Sequence, residues 1–105
     1  MSLPVMQRRV AEFTARAGLD TSVPFRTLDL VSETGELAKE VLKATAYGRE
    51  PFAPTDGWAD ELADTLFALI CLANSTDIDL ETALSAALAK YEARLTERGE
   101  AGSGR

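Results

Sequence analysis

The sequence predicts an all-α fold, a four-helix bundle in one domain, and three observations lead to this prediction. Four stretches carry apolar residues at helical spacing, and turn-rich segments containing proline, glycine, serine or aspartate separate them. The chain has 105 residues, which is long enough for one core, and 46% of them are hydrophobic, which is too many for a disordered chain. We therefore expect one helical domain over residues 1–98 and a disordered, small and polar tail at 99–105.

The composition argues against several classes of function. A net charge of −6 disfavours binding to nucleic acid or to an anionic membrane, because both require a basic surface. The absence of histidine excludes histidine-based acid–base catalysis and histidine-rich zinc sites. We find neither a signal peptide nor an apolar run of membrane-spanning length, so we expect a cytoplasmic protein with no membrane partner.

The first predicted helix covers about Leu3 to Ala17 and is expected to pack over the core. Its apolar residues recur at helical spacing, whereas Gln7 and the arginines fall mostly on the other side. Pro4 suits a first helical turn, and Gly18 stands where a helix C-cap is expected.

The second predicted helix begins near Pro24 or Phe25, ends at Ala46 and carries a stripe of carboxylates. Spacings of three and four residues place Glu33, Glu36 and Glu40 on neighbouring turns of one face, with Cβ atoms about 5–6 Å apart. Three like charges therefore crowd one side of this helix.

The third predicted helix follows a loop from Tyr47 to Gly57 and runs to about Asn74, with Thr55 or Asp56 as its expected N-cap. It opens with a second acidic cluster, Asp60, Glu61 and Asp64. The run LFALICLA that follows is apolar at nearly every position, which is typical of a helix inside a core or an interface. The lone cysteine in this run, Cys71, is interpreted as a small buried hydrophobe.

The fourth predicted helix begins at Leu80, with Asp79 as N-cap, and has a clear apolar stripe. Lys90, Arg94 and Arg98 form a basic edge near its C-terminus. These cations either favour the helix dipole or bind phosphate, and the pattern alone leaves both readings open.

Two acidic clusters on adjacent helices are the layout of a bundle with a metal site between facing helices. Partly buried carboxylates that repel one another require a cation. An all-oxygen site without histidine or cysteine ligands favours magnesium, with manganese as a common substitute. Magnesium held by carboxylates keeps positions for substrate phosphates, so phosphate chemistry is the physical hypothesis.

The segments LVSETGELAKEVLK and DELADTLFALICLA resemble those of the MazG-like nucleotide pyrophosphohydrolases, an all-α superfamily. The resemblance covers roughly Leu28 to Arg94 and rests on an ExxE pair followed by an ExxD pair. It implies the MazG-like type of helical bundle, associating as a homodimer or as a dimer of dimers, which is a homotetramer. It also implies that Glu33, Glu36, Glu61 and Asp64 are the metal ligands.

The resemblance further implies a magnesium-dependent hydrolase that cleaves a nucleoside triphosphate between the α and β phosphates, for house-cleaning of the nucleotide pool. Glu33 or Glu36 would accept a proton from water, and Lys43, Lys90 and Arg94 would contact the substrate phosphates. One alternative within the superfamily is a phosphoribosyl-ATP pyrophosphohydrolase, and another is a non-catalytic helical interaction module. The aromatic residues Tyr47, Phe52 and Trp58 would either anchor their loop or line a base-binding pocket.

Overall fold

The computed structural model describes residues 1–99, and these form four helices without a strand. The helices are α1 (Leu3–Ala17), α2 (Val23–Ala44), α3 (Trp58–Ser75) and α4 (Leu80–Arg98). The predicted all-α class is therefore confirmed. Of the tail predicted to be disordered, Gly99 forms the C-cap of α4, and residues 100–105 lie outside the described part of the chain.

Local sequence signals account for several helix ends. α1 has the predicted bounds, and Gly18 ends it with a left-handed φ of 69°, a conformation that glycine adopts without steric cost. The predicted N-cap of α4 is also confirmed, because Asp79 Oδ2 accepts a hydrogen bond from the Thr82 backbone nitrogen at 3.1 Å.

Two predicted ends are wrong. α2 stops at Ala44 and not at Ala46, since Ala46 and Tyr47 take positive φ angles of 48° and 58° that no α-helix continues through. α3 is capped by Gly57, without a side-chain hydrogen bond, and not by Thr55 or Asp56. The Thr55 hydroxyl instead donates to Glu40 Oε1 on α2 at 2.9 Å, so its hydrogen bond is made to another helix.

The core lies along α3, which packs most extensively against α2 and less extensively against α1. Its buried apolar residues are Ala68, Ile70, Cys71 and Ala73. Leu66 and Leu69, in the same apolar run, are exposed in one chain. The run was predicted to lie in a core or an interface, and within one chain one side of it lies in the core.

Gln7 departs from its predicted place on the polar side of α1, since only 7% of it is exposed. Its Nε2 donates to Asn74 Oδ1 at 3.0 Å and to the Ile78 carbonyl at 2.9 Å, and its Oε1 accepts from the Leu80 nitrogen at 2.9 Å. Asn74 Nδ2 returns a hydrogen bond to the Gln7 carbonyl. This network holds the α3–α4 turn against α1, because buried amides require partners.

The arrangement of the helices is open. α4 packs against α1, makes no extensive contact with α2 or α3, and has no buried residue in its length. Leu88 on α4 is 50% exposed and Val31 on α2 is 64% exposed. The radius of gyration is 16.8 Å, against about 13 Å for a compact chain of this length. Apolar faces of α2 and α4 thus lack a partner within the described chain.

Candidate metal centre

Three carboxylates from two helices meet at one point. One oxygen each from Glu33 on α2 and from Glu61 and Asp64 on α3 lie within 4.8 Å of one another. The i, i+3 spacing puts Glu61 and Asp64 on one side of α3, and the packing of α2 along α3 adds Glu33 from across the pair. We call these three residues the acidic triad.

The triad is electrostatically strained when no cation is bound. Partial burial, followed by the negative charge of Asp64, raises the pKa of the Glu33 carboxyl above its ordinary value of 4.5. The same two causes, in the same order, raise the pKa of Glu61. A raised carboxyl pKa means that the folded chain disfavours the ionised form there.

The donor set fits a hard divalent cation. Every ligand atom that the triad offers is a carboxylate oxygen, the donor that magnesium and calcium prefer. Glu61 Oε2 is also buried without a hydrogen-bond partner among residues 1–99, and a buried acceptor without a partner is uncommon. A cation between the three carboxylates would satisfy that oxygen and remove their mutual repulsion.

Glu36, the fourth carboxylate of the predicted ligand set, does not join the acidic triad at this distance. It is exposed on the next turn of α2 from Glu33. Its charge contributes to the raised pKa values of both Glu33 and Glu61, so it lies near the triad.

Lys43 lies at the edge of the triad and is held by Glu40. Its Nζ is 3.0 Å from Glu40 Oε2, and this contact raises the pKa of the lysine while lowering that of the glutamate. The charges of Glu36 and Glu61 also raise the pKa of Lys43, which puts its ammonium group within their influence. Glu40 therefore links the lysine to the loop that precedes α3, through its hydrogen bond with Thr55.

The other two predicted phosphate contacts, Lys90 and Arg94, lie on α4 and are not brought to the triad within one chain. Both cations lie over the Tyr91 ring, at 5.4 and 6.0 Å from its centroid. No α4 residue is among the charges that shift the pKa of Glu33 or Glu61. Arg94 Nη1 is buried without a hydrogen-bond partner among the described residues.

The sequence analysis missed a cleft of about 430 Å³ between α1 and α3. Phe13 and Phe67 meet edge to face in it, with ring centroids 6.2 Å apart, and Arg9 and Arg16 line its sides. Phe67 follows Asp64 by three residues, so the cleft opens one helical turn from the triad. The three-residue spacing of Asp64 and Phe67 is therefore the sequence signal that could have indicated this cleft.

The loop before α3 and the start of α3 carry the other aromatic contact. Phe52 and Trp58 pack edge to face at 5.1 Å between centroids, and Tyr47 is 72% exposed. This contact joins the loop to Trp58, the first residue of α3.

Comparison with known proteins identifies the family. Residues 26–98 match the model of the MazG nucleotide pyrophosphohydrolase domain. An uncharacterized protein of Bacillus subtilis (strain 168), YpjD, is 42% identical over 72 residues, which cover 66% of this chain and 63% of that protein. The crystal structure of the Bacillus-conserved MazG protein, a nucleotide pyrophosphohydrolase, is similar with a TM-score of 0.73 and 34% identity, covering 87% of this chain and 89% of that one. Because the domain model matches well over half of its length and includes all three residues of the acidic triad, the chain belongs to the MazG nucleotide pyrophosphohydrolase family.

Proposed function

We propose that the protein is a magnesium-dependent nucleoside triphosphate pyrophosphohydrolase that releases a nucleoside monophosphate and pyrophosphate, with manganese as a possible substitute metal. The observation that carries this proposal is the convergence of Glu33, Glu61 and Asp64, with one buried Glu61 oxygen left without a partner. The proposed role is house-cleaning of the cytoplasmic nucleotide pool. Membership in the family supports the hydrolase class, and the triad supports the metal.

The residues at and beside the triad have separate proposed roles in the reaction. Bound magnesium would neutralise phosphate oxygens and lower the pKa of a water molecule. Glu36 is exposed beside the triad, so it is placed to accept a proton from the attacking water, and Glu33 is the alternative acceptor. Lys43 can leave Glu40 and bind a phosphate oxygen instead, since both partners are negatively charged oxygen acceptors.

The cleft beside the triad is the proposed position of the nucleobase. Its two phenylalanines supply flat apolar surfaces, and Arg9 and Arg16 outweigh the charge of Glu12, which also lines the cleft. Phe13→Ala should therefore raise the KM for nucleoside triphosphates, while leaving unchanged the hydrolysis of inorganic triphosphate, which has no base.

We also propose that the active form is a homodimer or homotetramer in which α4 of one copy supplies Lys90 and Arg94 to the triad of another. Two observations support this proposal. The apolar stripe of α4 is exposed, with Leu84, Leu88 and Leu95 each about half accessible, and α4 does not pack on the helices that carry the triad. Burying exposed apolar stripes of this kind is the usual driving force for association.

Pyrophosphate release from a panel of canonical and modified nucleoside triphosphates tests the proposed activity, with and without magnesium. Glu36→Gln removes the proposed proton acceptor without changing the shape of the side chain. Asp60→Asn is the matched control, since Asp60 is an exposed acid that precedes Glu61 and stays outside the triad. We expect magnesium-dependent turnover that Glu36→Gln lowers and Asp60→Asn preserves.

Two alternatives have their own outcomes in this experiment. Turnover of phosphoribosyl-ATP in preference to every triphosphate would assign the chain to that reaction. No turnover of any substrate, together with a melting temperature that does not respond to magnesium, would favour the non-catalytic interaction module.

None of the four described helices is apolar over a stretch long enough to cross a membrane.

A further inference from the structure

A second cavity, of about 230 Å³, lies where α1 ends, α2 begins and α3 ends. Its lining is contributed by Ala11, Thr14, Asp20, Arg26, Cys71, Asn74 and Ser75. The α3 residues of this lining are seven or more positions after Asp64, which corresponds to about 10 Å or more along the helix. The cavity is therefore separate from the acidic triad, and it shares no lining residue with the cleft at Phe13.

Arg26 is the unusual residue of this cavity, because it is a buried cation without a counter-charge. Only 9% of it is exposed. Its Nη2 donates to the Leu19 carbonyl at 2.7 Å, and its Nε is buried without a partner among residues 1–99. No carboxylate of the described chain lies within 4.0 Å of its guanidinium group, although Asp20 shares the cavity. A buried charge is costly unless it is paired and hydrogen-bonded.

The neighbouring polar groups do not supply the missing partner, since the hydrogen bonds they make lead elsewhere and none of them accepts from Arg26 Nε. The Thr14 hydroxyl donates to the Ala11 carbonyl, and the Ser75 hydroxyl donates to the Cys71 carbonyl. Asn74 exchanges two hydrogen bonds with Gln7. Arg26 is thus the residue of this cavity whose charge and Nε–H both remain unmatched.

We propose that this cavity binds a small oxyanion, held by the Nε edge of the Arg26 guanidinium group. The planar fork of a guanidinium matches two oxygens of one carboxylate or phosphate group, and such bonds are among the strongest in proteins. The negative charges of Asp20 on the cavity wall and of Asp29, which acts on the adjoining Cys71, oppose the ligand and restrict it to a small ion of low charge. This site is independent of the proposed hydrolysis and of the metal.

Cys71 provides a local reporter of occupancy, since it is the one cysteine of the chain and lines the same cavity. Iodoacetate and iodoacetamide both alkylate a thiolate with loss of iodide, and they differ in that iodoacetate is an anion. The experiment measures both alkylation rates on the full chain, normalised to free glutathione, in chloride and in inorganic phosphate at equal ionic strength.

We expect Cys71 to favour iodoacetate over iodoacetamide relative to glutathione, and phosphate to slow both reactions. Arg26→Met should abolish the preference and the protection by phosphate. Arg9→Met is the matched control, because Arg9 lines the other cavity, and it should change neither. Equal behaviour of the wild type and Arg26→Met, or a wild type that phosphate does not protect, would overturn the proposal.

Asp20→Asn gives a second measurement that does not depend on whether Arg26→Met folds. If Asp20 opposes a bound anion, this change should strengthen the protection by phosphate and raise the melting temperature in phosphate. If Asp20 is itself the counter-ion of Arg26, the change should lower the melting temperature in chloride and add no protection, and the anion site would be rejected.

Discussion

The α2–α3 pair brings like charges together in its packed interface, whereas α4 leaves its leucines exposed and its cations away from those charges. Glu33, Glu61 and Asp64 meet within 4.8 Å, although the raised pKa values of Glu33 and Glu61 show that the folded chain resists the ionisation of these two carboxyls. Lys90 and Arg94 would relieve that repulsion, but α4 packs on α1 and does not reach the pair. One chain thus brings the carboxylates together and holds Lys90 and Arg94 away from them.

The difference has a physical reason. The α2–α3 pair is held by extensive helix packing, which is strong enough to tolerate local repulsion. α4 is held mainly through the Gln7 network at its N-terminal end, which fixes the turn but leaves the later part of the helix without burial. We expect a metal ion to bind between the carboxylates of the α2–α3 pair. We expect a second copy of the chain to cover the exposed face of α4.

The largest expected effect tests the acidic triad on the α2–α3 pair. Glu61→Gln should lower kcat/KM by at least about 100-fold, because loss of a direct metal ligand costs more than the 10–100-fold typical of outer partners. Its melting temperature without metal should not fall, since the amide removes a repulsive charge. Equal activity losses in Glu61→Gln and in the Asp60→Asn control would contradict the assignment of the triad.

The second prediction tests whether α4 acts on another copy. A chain with Glu61→Gln and a chain with Lys90→Ala and Arg94→Ala should each be nearly inactive alone. Unfolding and refolding them together should restore activity, since a mixed oligomer contains one site with an intact triad and intact cations. If mass spectrometry detects mixed oligomers and activity stays absent, the proposal that α4 serves a neighbouring triad is wrong.

The third prediction concerns pH, in the absence of metal. The pKa values of Glu33 and Glu61 are raised above 4.5 in the folded chain, so the folded state binds more protons than the unfolded state just above that pH. Their contribution to the free energy of unfolding should therefore decrease as the pH rises from 4.5 through the raised values. Magnesium should remove this decrease, because it favours the ionised carboxylates.

Denaturant unfolding of the wild type and of a Glu33→Gln, Glu61→Gln variant, across this pH range in chelator, isolates the effect. The pKa values of Glu40 and Asp79 are lowered by their hydrogen bonds, and these residues contribute the opposite slope equally to both proteins. A difference between the two proteins that is constant with pH would contradict the prediction.

The smallest expected effect concerns the loop that precedes α3. Thr55→Val removes the hydrogen bond to Glu40 with little change of shape and should cost at most about 1 kcal/mol of unfolding free energy. Thr27→Val is the control, since the Thr27 hydroxyl bonds only within its own helix, to the Val23 carbonyl. A loss in Thr55→Val no greater than in the control would show that this contact does not hold the loop.

Much of the fold could be predicted because its signals are local. Gly18 and Asp79 end and begin helices through their own backbone and side-chain chemistry, without help from distant residues. The cap of α3 was missed because Thr55 bonds a residue on another helix. A competing long-range partner of this kind has no signature in the neighbouring sequence.

The candidate site could be predicted in part for the same reason. The i, i+3 spacing of Glu61 and Asp64 puts both on one side of a helix wherever that helix goes. Spacing does not distinguish Glu33 from Glu36, because both lie on the same stripe of α2. The packing of α2 against α3 brings Glu33 into the triad and leaves Glu36 outside it.

By itself, the sequence determined four helices, their order and two acidic stripes, since helical periodicity and capping act over a few residues. The tertiary structure alone decided which charges meet and which polar residues are buried. Packing encloses Gln7, which was expected on the polar side of α1, and also Arg26, for which no local pattern indicates burial, and it leaves Arg26 without a counter-charge. Burial depends on contacts between residues far apart in the chain, and no local pattern encodes them.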